Sequence, residues 1–450
     1  MARKISVRIG EEGIEVGTLW FDAQGTHRQS SSFAYAQSWL EHPRGFALSP
    51  AMPFSQPRFF ATRSGRNPAF PLPIADTCPD SWGQRVIRRY LNASGTSSPI
   101  TDLDFLVNVD DSTRIGALRF FDPDQGTYLR DYDQQQGRIP PLLRLADLAA
   151  AARAIENGHE TSDELALLRR AAGSLGGARP KSSVLDEERG ELLIAKFTGA
   201  REDADHPVER AEAMALLLAR RVGLTASKVR IMDLSPNEPV ALLTRFDRTP
   251  DGKRLMFISA QSFLDAEEAE SDDNTYTTIA DAIRENGQSP SKMNRELFER
   301  VAYSILISND DDHLKNHGFL GGTNGRWLLS PMFDVNPNPH RSGELYLKTA
   351  ISEVSGPVGD LDALMDVAPY FGLDKDEAAG RIHHMAEQIT AQWRGIARSV
   401  GMTEQQARNY RPAFEHDQST RALALDRASE PGHSFDPEDD DEPNDPSPGM

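Results

Sequence analysis

Hydrophobic and polar residues alternate at the start of the chain. Ile5, Val7 and Ile9 share one parity, and Ile14, Val16 and the pair Leu19 and Trp20 follow a glycine turn at Gly13. A period of two is the spacing of half-buried strands, so residues 4–21 predict a β-hairpin or meander. Pro, Gly, Ser and Phe dominate up to residue 75, which suits short strands and loops. Residues 80–91 then place Val86, Ile87 and Leu91 on one helical stripe, and residues 116–121 read as a strand. Alanine and leucine recur at helical spacing over 142–170, predicting two helices joined near Gly158.

The pattern changes after Gly173. A glycine-rich loop covers 173–178, and two strand-like runs follow at 182–185 and 191–197, separated by a turn at Glu188, Arg189 and Gly190. Residues 208–222 form a strongly amphipathic helix stopped by Gly223. Short strands are expected at 228–234 and 240–246. From about 295 to 413 the chain reads as mostly helical, interrupted by polar loops at 309–316 and 329–339. No internal repeat or heptad array is present.

With 450 residues, the chain can bury a substantial core in two or three domains. No apolar run reaches the roughly 18–20 residues of a membrane span, and the N-terminus lacks the apolar segment of a secretory signal. The lone cysteine, Cys78, can form neither an internal disulfide nor a cysteine metal cluster. These features predict a cytoplasmic protein that does not engage membranes. The net charge of -19 repels nucleic acid at long range, and no Lys/Arg run offsets it. Residues 436–445 carry seven acidic side chains and no basic one, so 416–450 is expected to be an acidic, disordered tail.

The richest chemistry lies in ILISNDDDHLKNHGFL, residues 305–320. Three adjacent carboxylates, Asp310, Asp311 and Asp312, follow an apolar run and repel one another unless a cation shares the site. Asp311 and Asn316 are five residues apart. This is the spacing at which a kinase catalytic loop places its base and a metal-binding asparagine. Lys315 can neutralise charge on a transferred phosphoryl group. In SPMFDVNPNP (330–339), Asp334 follows a strand-like stretch and can hold Mg²⁺, although the DFG triplet itself is absent. Glycines in AAGSLGGARPKSSV (171–184) let backbone N–H groups approach phosphate, but the spacing is not that of a Walker loop. Lys196, in a strand, has the character of a phosphate-pairing lysine, and Glu212 on the long helix is placed to pair with it. LLTRFDR (242–248) suits a hinge whose backbone binds adenine.

In this order the motifs SLGGARPK (174–181), IAKF (194–197), TRFDR (244–248), NDDDHLKN (309–316) and FDVNPNP (333–339) resemble the HipA family of toxin kinases. The resemblance covers roughly residues 4–410 and includes PDSWGQRVI (79–87) in an N-terminal subdomain. It implies an α+β, protein-kinase-like bilobal fold, with a β-rich subdomain over 1–145 and a catalytic region over 146–415. The glycine loop and hinge would reach about residue 262, with a mostly helical lobe after. It implies a serine/threonine kinase using ATP and Mg²⁺, acting on a translation protein such as an aminoacyl-tRNA synthetase. It also implies a HipB-like helix-turn-helix antitoxin through which DNA is contacted only indirectly. By matching position, Asp311 would be the catalytic base and Asn316 and Asp334 the metal ligands. Lys196 would bind phosphate, with Gly177 and Lys181 in the phosphate loop. The backbone of Thr244 and Phe246 would hold adenine. His313 matches a family histidine on the nucleotide side, and Ser174 matches a serine that is autophosphorylated. The rival readings are a metal-dependent phosphohydrolase built on Asp310–Asp312 and a partner-binding module without catalysis. The acidic tail has no counterpart in the family pattern.

Overall fold

The structure, a computed structural model, describes residues 2–425 apart from 66, 97, 130–138, 172, 174, 175, 201, 236, 272 and 341. It divides into two compact units. The first comprises residues 1–213, 227–269 and 318–320; the second comprises 214–226, 270–317 and 321–450. No helix among the described residues is long and apolar enough to cross a membrane.

The first unit opens with a six-stranded antiparallel sheet. Its strands lie in the order Phe59–Thr62, Arg28–Tyr35, Ile14–Gln24, Arg3–Ile9, Leu118–Asp122, Thr127–Tyr128. The expected alternation holds: Ile5, Val7, Ile9, Leu19 and Phe33 are buried on one face. The first hairpin turns through Gly10 and Gly13, both at positive φ (69° and 65°), where a side chain would be strained.

A second sheet of four strands has the order Lys181–Asp186, Glu191–Phe197, Glu238–Thr244, Val229–Ser235. Its core face, with Val184, Leu193, Ala195, Phe197, Val240 and Leu242, packs on three helices: Ser81–Ala93, Leu145–Asn157 and Ser162–Ala171. Gly158, at φ 73°, ends the second of these and makes the predicted break. Residue 145, the expected end of the β-rich subdomain, lies within the first compact unit. The 81–93 helix shares the core of the second sheet, and Trp82 Nε1 donates to the Lys181 carbonyl (3.0 Å).

TRFDR contributes to the same join. Arg245 and Asp247 are buried and paired at 2.6 Å, and Arg248 reaches Asp247 at 2.7 Å. Asp247 also accepts from the Gly116 amide (2.7 Å). Arg245 donates to the carbonyls of Thr113 (2.7 Å) and Arg114 (3.1 Å). Every charge in this cluster is therefore met by an opposite charge or a backbone dipole, as burial requires.

In the second unit, helices Tyr276–Asn286, Pro290–Leu306, Leu361–Asp366 and Lys375–Ser399 surround a core that includes Phe298, Phe371 and Trp393. The helical reading of 295–413 needs correction. Between Leu306 and Leu361 there is no α-helix among the described residues. Instead there are strands at Gly318–Gly321 and Trp327–Leu329, short 3₁₀ turns and irregular chain. Glycines at 318, 321 and 322 and prolines at 331, 337 and 339 break helix formation there. The tail also starts later than residue 416. Asp417–Leu423 is a helix with Ser419 and Ala422 buried, capped by His416. The acidic run at 436–445 lies outside the described residues.

Removing Asp247 strands two buried guanidiniums. Asp247→Ala should cost about 3–5 kcal/mol in urea unfolding. Burial alone would raise the Asp247 carboxyl, but the neighbouring guanidiniums overcome it and hold the group well below its ordinary range. Its contribution is therefore present above the unfolded carboxylate pKa and is lost only as pH falls far below it. A wild-type midpoint in the Ala variant would show that the Asp247 cluster does not stabilise the fold.

Candidate active site

The candidate residues fall into two groups, one in each compact unit. In the first unit, Lys181 and Lys196 are directly opposed across the strand pair Lys181–Asp186 and Glu191–Phe197. Opposed residues share a face, so both lysines lie on the face away from the helical core. Lys196 Nζ pairs with Glu212 Oε1 at 2.6 Å, and both side chains are largely buried. Glu212 is carried by the helix Val208–Arg221, so the lysine is held by an element outside its own sheet.

The glycine loop is anchored at the adjacent residues Gly176 and Gly177. Lys181 Nζ donates to the Gly176 carbonyl, and the Gly177 amide donates to Asp80 Oδ2 (3.0 Å). Gly177 has φ 93°, a conformation that excludes a β-carbon. Asp80 sits at the N-terminus of the 81–93 helix but makes no side-chain cap to it; its carboxylate serves the loop. Ser174 lies outside the described residues. Arg179 pairs with Glu202 at 3.5 Å. Burial, then the negative charge of Glu202, pushes Glu209 up to about 8. Thr244 ends its strand with its amide on the Lys228 carbonyl (2.9 Å), and Phe246 packs at 5.8 Å from the Phe257 ring.

In the second unit, the three consecutive aspartates diverge. Asp310 accepts from Asn338 Nδ2 (2.6 Å). Asp312 is buried and accepts from the Tyr276 hydroxyl and from the Lys348 amide (2.7 Å). Its backbone carbonyl accepts from Thr349 Oγ1 (2.7 Å). Burial raises the Asp312 carboxyl to about 6 despite these donors. His317 lies at 3.2 Å from the same Tyr276 hydroxyl, and burial lowers its pKa to about 4, so it is neutral at physiological pH. Asp311 alone is exposed. Its pKa is raised, first by desolvation, with the charges of Asp334 and Glu270 adding and those of His313 and Lys348 opposing.

Asn316 donates its Nδ2 to the Asp311 carbonyl (2.6 Å), which commits the amide nitrogen and leaves Oδ1 as the ligating atom. Asn316 and Asp334 line one cleft together with Asn309, His317 and Phe333. Asp334 has φ 55°, one of four non-glycine residues at positive φ among those described. Such a conformation costs energy and concentrates at functional sites. Lys315 lies in the 3₁₀ turn Leu314–Asn316. His313 is half-buried, and its Nδ1 is buried without a hydrogen-bond partner among the described residues. Asn316 and Asp334 offer two oxygen donors, which suits a hard cation such as Mg²⁺. Among the described residues no three His, Cys, Asp or Glu side chains gather as a metal site.

Sequence reasoning missed the asparagines of NPNP. Asn336 N donates to Asn309 Oδ1 (3.0 Å), and Asn338 N donates to the Ser308 carbonyl (3.0 Å). These bonds fasten the Asp334 segment to the Asp311 loop. The signal was the alternation itself: each asparagine precedes a proline, which holds it extended with its side chain free to reach sideways. Tyr276 and Asp80 lie far from their partners in sequence and gave no local signal.

Glu209 offers a test of the first group. A carboxyl whose folded pKa lies above its unfolded value loses stability as pH rises between the two. Wild-type protein should lose melting temperature from about pH 4.5 to pH 8 relative to Glu209→Gln. Parallel melting curves across that range would refute the raised Glu209 carboxyl.

Comparison with known proteins bears on both groups. A curated Haemophilus influenzae protein named "Putative kinase" is 31% identical over 108 residues, covering 22% of this chain and 32% of the relative. A Sinorhizobium fredii protein named "Putative kinase Y4dM" is 28% identical over 193 residues, covering 38% of this chain and 46% of that one. The chain thus spans less than half the length of the curated relatives it matches. The fold matches the structure of the Shewanella oneidensis toxin–antitoxin system HipA, HipB and operator DNA complex, with a TM-score of 0.65, 16% identity and coverage of 94% of this chain and 96% of that one. The HipA N-terminal domain matches residues 7–121 and the HipA-like C-terminal domain matches residues 173–393. With these two domains, in this order, on a fold of α+β kinase-like type, the chain belongs to the HipA family.

Proposed function

We propose that this chain is an ATP-dependent serine/threonine protein kinase and the toxin of a two-component toxin–antitoxin pair. The observation that carries the reading is the hydrogen bond from Asn316 Nδ2 to the Asp311 carbonyl. It fixes an oxygen ligand beside an exposed carboxylate whose raised pKa suits a base. The divergence of Asp310 and Asp312 into structural roles argues against a phosphohydrolase that would use all three carboxylates together.

In this reading Lys196, held by Glu212, and Lys181 bind the phosphates of ATP, with the amides of the glycine loop around Gly177. The backbone of Thr244 and Phe246 receives the adenine, and His313 lies on the nucleotide side. Asn316 and Asp334 would hold Mg²⁺, and the ion would supply positive charge against the phosphate oxygens. Asp311 accepts the proton of the substrate hydroxyl as its oxygen bonds to the γ-phosphorus. The bond from that phosphorus to the β–γ bridging oxygen breaks, and ADP leaves. Lys315 offsets charge on the phosphoryl group in flight. The protein substrate belongs to the translation machinery, an aminoacyl-tRNA synthetase being the type. The partner is a helix-turn-helix antitoxin that carries the DNA contact. The match to a structure containing HipA, HipB and operator DNA supports the pairing.

Asp311→Asn should lower phosphoryl transfer by orders of magnitude with melting temperature unchanged, assayed with γ-labelled ATP and a cell lysate. Near-normal labelling would move the base elsewhere. Asn316→Ala and Asp334→Ala should both raise the Mg²⁺ midpoint, with excess Mg²⁺ partly rescuing the asparagine variant. Unchanged midpoints in both would discard the metal assignment.

Ser174 should acquire phosphate in active protein incubated with Mg-ATP and not in Asp311→Asn. Its two added negative charges would compete with ATP for Lys181 and Lys196. An unmodified Ser174 in an active preparation, read by mass spectrometry, would end that proposal.

A further inference from the structure

The outer face of the six-stranded sheet carries chemistry that phosphoryl transfer does not use. Strand register puts Lys4, Trp20, Ser32 and Phe60 in one row across four strands. The next rows hold Ser6 with Phe121 and Tyr128, and Arg8 with Arg119. The odd-numbered positions of the first two strands are mostly buried, so this even-numbered face is the one left to solvent.

Phe60 is 77% exposed, a large ring on an edge strand. Arg58 lies over the Trp20 ring at 4.3 Å, Arg8 over Phe121 at 3.6 Å, and Arg119 over Tyr128 at 3.8 Å. Lys4, Arg8, Arg28 and Arg58 make no ion pair with a carboxylate among the described residues. Glu15 and Asp22 bring acidic groups to the same face, and Arg119 is neutralised by Asp111 at 2.7 Å, so the cations this face offers are Lys4, Arg8, Arg28 and Arg58. The face is therefore locally basic on a chain of net charge -19.

We infer that this sheet face binds single-stranded nucleic acid. Cations without carboxylate partners suit a phosphate backbone, and the exposed Phe60 ring and the guanidinium planes lying over Trp20 and Phe121 can stack unpaired bases. An acidic protein would use the cations but has no need of the rings. A duplex keeps its bases stacked inside and cannot use them either. The patch is invisible as a run in the sequence because pairing assembles it from residues 4 and 8 of the first strand, 20 and 28 of the next two, and 58 and 60 at the edge.

The test is fluorescence polarisation of a short labelled oligouridylate with the full chain over a range of salt. Binding is expected at about 50 mM salt, with log affinity falling linearly in log salt. The combined variant Lys4→Gln, Arg8→Gln, Arg28→Gln and Arg58→Gln should flatten that slope by about 3, at roughly 0.7 for each phosphate no longer neutralised. Phe60→Ala should weaken binding about tenfold at unchanged slope, the mark of stacking. Circular dichroism and melting temperature check each variant, and Phe60→Ala alone decides if the combined variant misfolds.

Four results would each overturn the inference. The first is no binding at low salt. The second is binding that the substitutions leave untouched. The third is displacement of the RNA by polyglutamate as readily as by unlabelled RNA, which would mark the face as an acidic-protein site. The fourth is a change in oligomeric state caused by Phe60→Ala, which would make the face an interface between copies.

Discussion

A carboxylate removed from water has to be met by donors or give up its charge, and this constraint sorts the acidic residues of the chain. Asp247 is met by two guanidiniums and an amide, and it joins sequence segments over a hundred residues apart. Glu212 is met by Lys196. Asp310 is met by Asn338, and Asp312 by Tyr276 and the Lys348 amide. Asp311 stands outside the pattern: its carbonyl is engaged by Asn316, while its side chain stays exposed with a raised pKa. The carboxylates of Asp310 and Asp312 tie the loop to its surroundings, while that of Asp311 is left facing solvent.

Much of this is legible in the sequence, and the reasons are local. Alternation around Ile5–Ile9 marks the first strands, and the helical stripe with Val86, Ile87 and Leu91 marks the 81–93 helix. Gly158 and Gly223 mark helix ends, because few other residues accept positive φ. The five-residue step from Asp311 to Asn316 is also local, since one loop carries both. Partners remote in sequence are hidden. Nothing near Asp312 announces Tyr276, and nothing near Gly177 announces Asp80. The motif TRFDR suggests a role for its backbone alone, while its charged side chains turn inward toward residues 113–116. The stretch from 307 to 360 reads too readily as helix because apolar residues such as Leu345, Leu347 and Ile351 are buried without helical periodicity.

Strand pairing does more than build sheets here. It decides which side chains become neighbours, and therefore where charge and aromatic surface accumulate. The outer face of the first sheet and the lysine face of the second are both produced by register, and a one-residue slip would turn either inward.

The opposition of Lys181 and Lys196 has a thermodynamic side. Like charges directly across an antiparallel pair weaken the pairing, and the ion pair from Glu212 to Lys196 offsets part of that repulsion. An anion arriving on the same face would relieve what remains, so the strands that receive it should themselves be tightened by it. Empty and filled states would then differ in how firmly the sheet is held together, even where the path of the chain is unchanged.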